Sequence, residues 1–236
     1  MPTASTSFFG WVAFLLQKYG MLFLRGTGMT LLIALTGTIF GFVIGLLVAI
    51  VRATSPMPTL GRRSAAAAVR DALLKAAQLL LGAYIQVFRG TPMIVQAVVI
   101  YYGAQYAGMY MDTTFAAIFI ISINTGAYMA EIIRGGVISI DKGQFEAAHA
   151  IGMTHWQTMT TVVLPQAIRN ILPSVGNELI VNIKDSSVLN VISVSELFFQ
   201  AKSAAGAYYR YFEVYFIIAV IYLILTLTVS RILRFI

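Results

Sequence analysis

The 236-residue chain contains no cysteine. Disulfides, thiol catalysis and cysteine-ligated metals are therefore excluded, while the compartment is left open. Charge is also scarce, at 11% Asp, Glu, Lys and Arg against about 25% in a soluble globular domain. Because 59% of the residues are hydrophobic and fall in long uninterrupted runs, a cytosolic enzyme, a nucleic-acid-binding module and a disordered tail are excluded too. The sequence holds no Gly-x-x-x-x-Gly-Lys-Ser/Thr, Gly-x-Ser-x-Gly or His-Glu-x-x-His, so it encodes no P-loop, nucleophile elbow or zincin helix. His149 and His155 do not share a helical face and predict no metal site. What remains is an integral membrane protein with room for roughly four to six spans of about 20 residues each.

The net charge of +7 resides between the apolar runs, where basic residues mark the cytoplasmic side. Phe8 to Leu16 has no basic residue before it and no small-residue cleavage site after it. It reads as an interfacial segment feeding the first span rather than a cleaved signal peptide. Gly26 to Val51 is uncharged and bounded by Arg25 and Arg52, and forms that span. Next come Arg52, Arg62, Arg63, Arg70 and Lys75 against one acid, Asp71, with Pro56, Pro58 and Gly61 marking a loop. This places the loop in the cytoplasm and the N-terminus outside.

Ala76 to Met111 is interrupted only by Arg89-Gly90-Thr91-Pro92. As one straight helix it would be about 54 Å long, well beyond the roughly 30 Å hydrocarbon core. Two spans there would reverse every later loop. The expectation is one span at about 92–111, with 76–91 a helical lead-in at the inner interface and Arg89 snorkelling to the inner headgroups. Thr113–Ala130, Pro165–Lys184 and Val214–Ser230 complete an all-α, single-domain protein over 1–236 with five transmembrane helices, N-out and C-in. Lys202 and Arg210 then lie on the outer side, against the charge rule. Gly37, Gly41 and Gly45 repeat every four residues, a spacing for close helix packing, with packing within the subunit the simpler reading and a subunit-dimer seam the other.

Between spans three and four, residues 135–164 form a polar cytoplasmic stretch. Its pattern predicts two short helices with Gly152 at the turn, where a glycine permits positive φ. Phe145, Ala148, Ile151 and Trp156 offer an apolar surface beside the charged Glu146, and such a surface calls for a partner. Glu146-Ala147-Ala148, Gly152 and Leu164-Pro165 resemble the EAA loop of ATP-binding-cassette importer permeases. Phe88-Arg89-Gly90-Thr91-Pro92, Gly143-Gln144, Leu164-Pro165-Gln166-Ala167, Gly176-Asn177-Glu178-Leu179-Ile180 and Lys184-Asp185-Ser186-Ser187 are similar to the polar amino acid subfamily. The similarity spans residues 20–234, with Ser186 where the family often has Thr.

This resemblance implies a coupling helix that docks on a separate ATPase subunit through Gly143, Phe145, Glu146, Ala147, Ala148, Gly152 and Trp156. The chain itself would bind no cofactor, ATP-Mg belonging to the ATPase. Further implied partners are a second permease copy or paralogue, a periplasmic or surface-anchored solute-binding protein, an amino acid substrate and membrane lipid, in a bacterial cytoplasmic (inner) membrane. No nucleic acid is implied.

The fourth span carries Asn177, Glu178, Asn182, Lys184 and Asp185. Glu178 lies about 20 Å and Lys184 about 28 Å along a helix counted from Pro165. Glu178, Asn182 and Asp185, at i, i+4 and i+7, share a face. An intramembrane carboxylate costs about 2.5–3.5 kcal/mol, so it meets a partner or a watery path. Two readings stand: contact with a zwitterionic or cationic solute, or a structural ion pair with Lys184 or a neighbouring base. Asn124 and Tyr128 on span three are further path candidates, with helix–helix hydrogen bonding as their simpler role. Glu131 and Arg134 read as a helix-end ion pair. Two rival functions fit less of the chain. A self-standing channel or ion-gradient-driven transporter could use Glu178 and Asp185, and a membrane anchor for a cytoplasmic complex would explain only the loop.

Overall fold

The computed structural model describes residues 6–54 and 65–235, which form helices and turns. Pro56, Pro58, Gly61, Arg62 and Arg63 of the basic loop lie outside the described residues. The helices are α1 (Phe8–Ala53), α2 (Ala65–Gly90), α3 (Met93–Tyr106), α4 (Thr113–Ile138), α5 (Lys142–Ala150) and α6 (His155–Gln157). A π-helical stretch, Thr158–Val163, leads into α7 (Leu164–Asp185). A 3₁₀ stretch, Ser186–Ile192, then precedes α8 (Leu197–Tyr208) and α9 (Tyr211–Leu233).

Helices α1, α2, α4 and α9 are long and apolar enough to cross a membrane. At 22 residues α7 has the length but carries Arg169, Glu178, Lys184 and Asp185. Two expectations are corrected. First, Phe8 to Ala53 is one helix of 46 residues, about 69 Å, not an interfacial segment followed by a span from Gly26. No proline interrupts it, and Gly26 is packed rather than kinked: a Cβ there would lie 2.8 Å from the Leu197 Cα.

Second, the span expected at 92–111 does not form. Helix α3 has 14 residues, about 21 Å, too short for a core of about 30 Å. The apolar length belongs to α2, whose 26 residues extend the supposed lead-in back to Ala65. The division falls at Thr91-Pro92, because a proline disfavours helical backbone in the residue before it. Helix α3 ends on a Schellman turn, with Gly108 at φ +80° and Met109 N–H donating to Ala104 C=O at 2.9 Å. Asp112 then caps α4, accepting from the N–H groups of Thr114 (2.9 Å) and Phe115 (3.1 Å).

The chain divides into two compact units, residues 1–38, 93–121 and 176–236 forming one, and 39–92 and 122–175 the other. The first holds two apolar clusters. Leu15 and Phe23 of α1 pack with Leu197, Ala201 and Ala204 of α8 and with Val214, Ile217 and Ile218 of α9. Ile33 packs with Ala97 of α3, with Ala116, Ala117, Ile120 and Ile121 of α4, and with Leu189 and Ile192. Small residues dominate because helices in lipid associate by close packing rather than by escaping water.

The second unit shows the same economy. A Cβ on Gly41 would lie 2.6 Å from Thr125 Cβ, and one on Gly45 2.4 Å from Met129 Cβ. Those two glycines are therefore buried in contacts within the subunit, as their spacing suggested. Val48, Ile85, Ala127 and Ala130 close one cluster. Ala49, Ile133, Ile140, Val163, Ala167 and Ile171 close another beneath the α5–α6 loop.

Candidate functional site

In the second unit, the loop from Ser139 to Val163 is built around two capped turns. Asp141 accepts from Gly143 N–H at 2.7 Å and starts α5. A Cβ on Gly143 would sit 2.8 Å from Asp141 Oδ1, so a larger residue there would push the capping carboxylate aside. Helix α5 ends at Gly152, whose φ is +82°, with Met153 N–H reaching back to Ala148 C=O at 3.1 Å. A capping box follows, in which Thr154 and Gln157 satisfy each other's backbone N–H groups.

The loop is fixed to its own unit from below. Phe145 packs into the cluster of Ile133, Val163 and Ile171, and Ala148 is buried beside it. Gln166 Nε2 donates to Gln144 Oε1 at 3.3 Å, and Asn170 Nδ2 to Ser139 Oγ at 3.1 Å. Gln144 and Gln166, distant in sequence, thus tie loop to helix. The apolar surface expected of Phe145, Ala148, Ile151 and Trp156 is therefore split. Phe145 and Ala148 anchor the loop, while Ile151 is 79% and Trp156 75% exposed. Gly143, Glu146, Ala147 and Gly152 are exposed as well.

Glu131 sits where α4 approaches this loop. It accepts from Arg134 at 2.7 Å, the expected ion pair, and also from Arg52 at 2.8 Å. With Gly135, Gly136, Ser139, Arg169 and Asn170 it borders a cavity of about 690 Å³. Neither Arg52 as a partner of Glu131 nor Arg169 as a lining residue was visible in sequence. The first contact joins residues 79 apart. Arg89 is exposed and stacks over the Tyr128 ring at 5.5 Å. Asn124 is buried and its Nδ2 lies 3.4 Å from Phe88 C=O.

The polar end of α7 lies in the first unit. Asn182 is 3% exposed, and its Nδ2 donates to Thr38 Oγ1 at 2.8 Å, so this amide is engaged inside the protein. Glu178 and Asp185 are half-buried. Lys184 is exposed into a cavity of about 310 Å³ bordered by Ser187, Phe198, Tyr215, Ile218 and Tyr222. Nearby, Glu196 caps α8, accepting from the N–H groups of Phe199 (2.7 Å) and Phe198 (2.9 Å) and from the Tyr222 hydroxyl (3.1 Å). Burial pushes its carboxyl above the ordinary range, and those donors together with the Thr30 hydroxyl pull it back in part. Glu196 carried no signal in sequence beyond being an acid ahead of an apolar helix.

Residues 65–236 match the family described as binding-protein-dependent transport system inner membrane component. The chain is 41% identical to the glutamine transport system permease protein GlnP of Escherichia coli (strain K12) over 215 residues, 90% of each chain. It is 35% identical to the arginine transport system permease protein ArtQ of Bacillus subtilis (strain 168) over 208 residues, 88% of this chain and 87% of that one. A crystal structure of an amino acid ABC transporter with histidines superposes with a TM-score of 0.83 at 39% identity, covering 98% of this chain and 97% of the other. The chain belongs to this family of binding-protein-dependent transport permeases. It is a multi-pass inner membrane protein, the permease component of an ABC transporter and not its ATPase.

Proposed function

We propose that the chain is the permease of an ABC importer for polar amino acids, and that its α5–α6 loop is where a separate ATPase subunit drives it. The observation that carries this reading is the pairing of a rigid base with an unburied tip. Two caps, Phe145 and the Gln144–Gln166 bond hold the loop, while Ile151 and Trp156 stand in solvent with Glu146 alongside. Large exposed side chains on a fixed support supply the anchors of a protein interface. A loop that binds the ATPase differently in its two states can bias the permease between outward and inward opening.

The rest of the assembly follows the family. A solute-binding protein delivers the amino acid outside, ATP-Mg is held by the ATPase, and a second permease copy or a paralogue completes the path. The chain acts as one permease domain with five crossings, α1, α2, α4, α7 and α9, its N-terminus outside and its C-terminus inside. Glu178 and Asp185 favour a substrate with a positive charge, in line with the arginine and histidine named for two relatives.

The test is Trp156→Ala and, separately, Glu146→Ala in the permease reconstituted with its ATPase in proteoliposomes. Because both side chains are exposed, the melting temperature stays unchanged. Losing an aromatic anchor costs about 2 kcal/mol, roughly 30-fold in ATPase affinity, and uptake of L-arginine or L-glutamine falls with it. Full uptake in both variants, or uptake that runs without ATP, would overturn the proposal.

A further inference from the structure

Building on the five-crossing arrangement proposed above, we infer that the cavity bordered by Glu131 and Arg169 seats the phosphate headgroup of an anionic phospholipid from the inner leaflet. Its volume, about 690 Å³, falls within the roughly 300–1,000 Å³ typical of small-molecule sites. Gln166 is tied to Gln144 of the loop, so the start of α7 lies at the cytoplasmic surface. Counted from Leu164, Arg169 lies about 8 Å and Ser174 about 15 Å along the helix. An interfacial layer is about 5–8 Å thick. Arg169 therefore stands among the inner headgroups and Ser174 beside the first part of the acyl chains.

The wall carries more positive charge than the protein itself uses. Glu131 is already held by Arg134 at 2.7 Å and by Arg52 at 2.8 Å. Arg169 borders the same space and joins no ion pair among the described residues of its unit, where Arg70 holds Asp71. Three guanidiniums around one carboxylate leave two positive charges in excess. Basic pockets between membrane helices on the cytoplasmic side suit anionic headgroups, and a guanidinium fork matches two phosphate oxygens at once. Ser174 adds a hydroxyl. Pro173 has no N–H to give the Arg169 carbonyl, so that carbonyl can accept from a headgroup hydroxyl such as the glycerol of phosphatidylglycerol. Apolar neighbours favour a lipid over free phosphate. Ile168 and Leu172, each one residue before a wall residue, are exposed, and acyl chains gain by covering them where inorganic phosphate does not.

The experiment is native mass spectrometry of the purified permease–ATPase complex, titrated in detergent with phosphatidylglycerol, phosphatidylcholine and inorganic phosphate. Phosphatidylcholine carries the same phosphate without net charge. At about fivefold for each basic residue in excess, the wild type is expected to prefer phosphatidylglycerol by roughly 25-fold. Arg169→Gln should lose about fivefold of that preference, and Arg169→Lys should keep most of it. A Cβ on Gly135, on the α4 wall, would meet nothing within 4 Å. Gly135→Leu therefore fills the cavity without touching a charge and should weaken both lipids together. Melting temperature and retained ATPase identify any variant that fails to fold. If Arg169→Gln is lost in that way, Gly135→Leu carries the comparison.

Equal binding of the two lipids by the wild type would overturn the site. So would phosphatidylglycerol binding left unchanged by Arg169→Gln or by Gly135→Leu. Inorganic phosphate that displaces phosphatidylglycerol at equal concentration would assign the cavity to a free anion instead. Phosphatidylglycerol that binds only after the ATPase is stripped away would assign it to a protein interface, and either result overturns the lipid. Lipid binding needs no substrate, so each of these failures leaves amino acid import standing. Failure of the import reading shows separately, as uptake that runs without ATP.

Discussion

Glu196 shows how a single acid can be both buried and fully employed. It is 0% exposed, yet the Phe198 and Phe199 N–H groups and the Tyr222 hydroxyl all donate to it. Truncation to Ala would leave those donors unpaired, at a cost on the order of 3 kcal/mol. Its pH behaviour has a definite sign. With the folded carboxyl raised above the ordinary 4.5 by burial, the native state holds a proton that the unfolded state has already released. Its contribution to stability therefore falls as pH rises from 4.5 through the raised value, and is most favourable on the acid side. Thermal unfolding followed across that range should show this slope in the wild type and lose it in Glu196→Gln. An unchanged slope would place the titration elsewhere.

At the scale of helices, the packing of α1 on α4 depends on missing side chains. Gly45→Ala puts a Cβ 2.4 Å from Met129 Cβ, and overpacking of this kind costs about 1–3 kcal/mol. Gly103→Ala, inside α3 with nothing within 4 Å of its Cβ, should hold or raise the melting temperature, because Ala favours the helix by up to about 1 kcal/mol over Gly. If the two variants melt alike, the close approach of the helices is not what stabilises the unit. Helices were legible in sequence where one local rule decided them. Gly152 permitted a positive φ, the glycine spacing announced close packing, and Pro165 to Lys184 anticipated α7 to within a residue. The α2–α3 region was misjudged because charge balance between loops was weighed above local backbone chemistry. Thr91-Pro92 and Gly108, both local signals, set the helix ends. The Glu131–Arg52 and Asn182–Thr38 contacts could not be read, because they join residues 79 and 144 positions apart and no periodicity reaches that far.

For the whole chain, the absence of cysteine makes the topology directly testable with single cysteines at exposed positions. In intact cells, a membrane-impermeant maleimide should label Ser7→Cys and leave Lys142→Cys and Phe235→Cys unlabelled. Labelling of all three, or of Lys142→Cys alone, would break the five-crossing arrangement. Class and membrane location were legible because composition and an ordered series of motifs span nearly the entire sequence. Which side chains of the loop would be anchors and which would be free depended on packing and was not. The π stretch at Thr158–Val163 bears on how such chains diverge. A π turn holds one residue more than an α-helix needs, and in a helix one residue is about 100° of rotation. The loop and α7 therefore keep separate registers, joined through a spare position. A lineage that lost that position would present Trp156 from a different side of α7 with every motif intact, so an alignment of relatives should place its gap in this stretch.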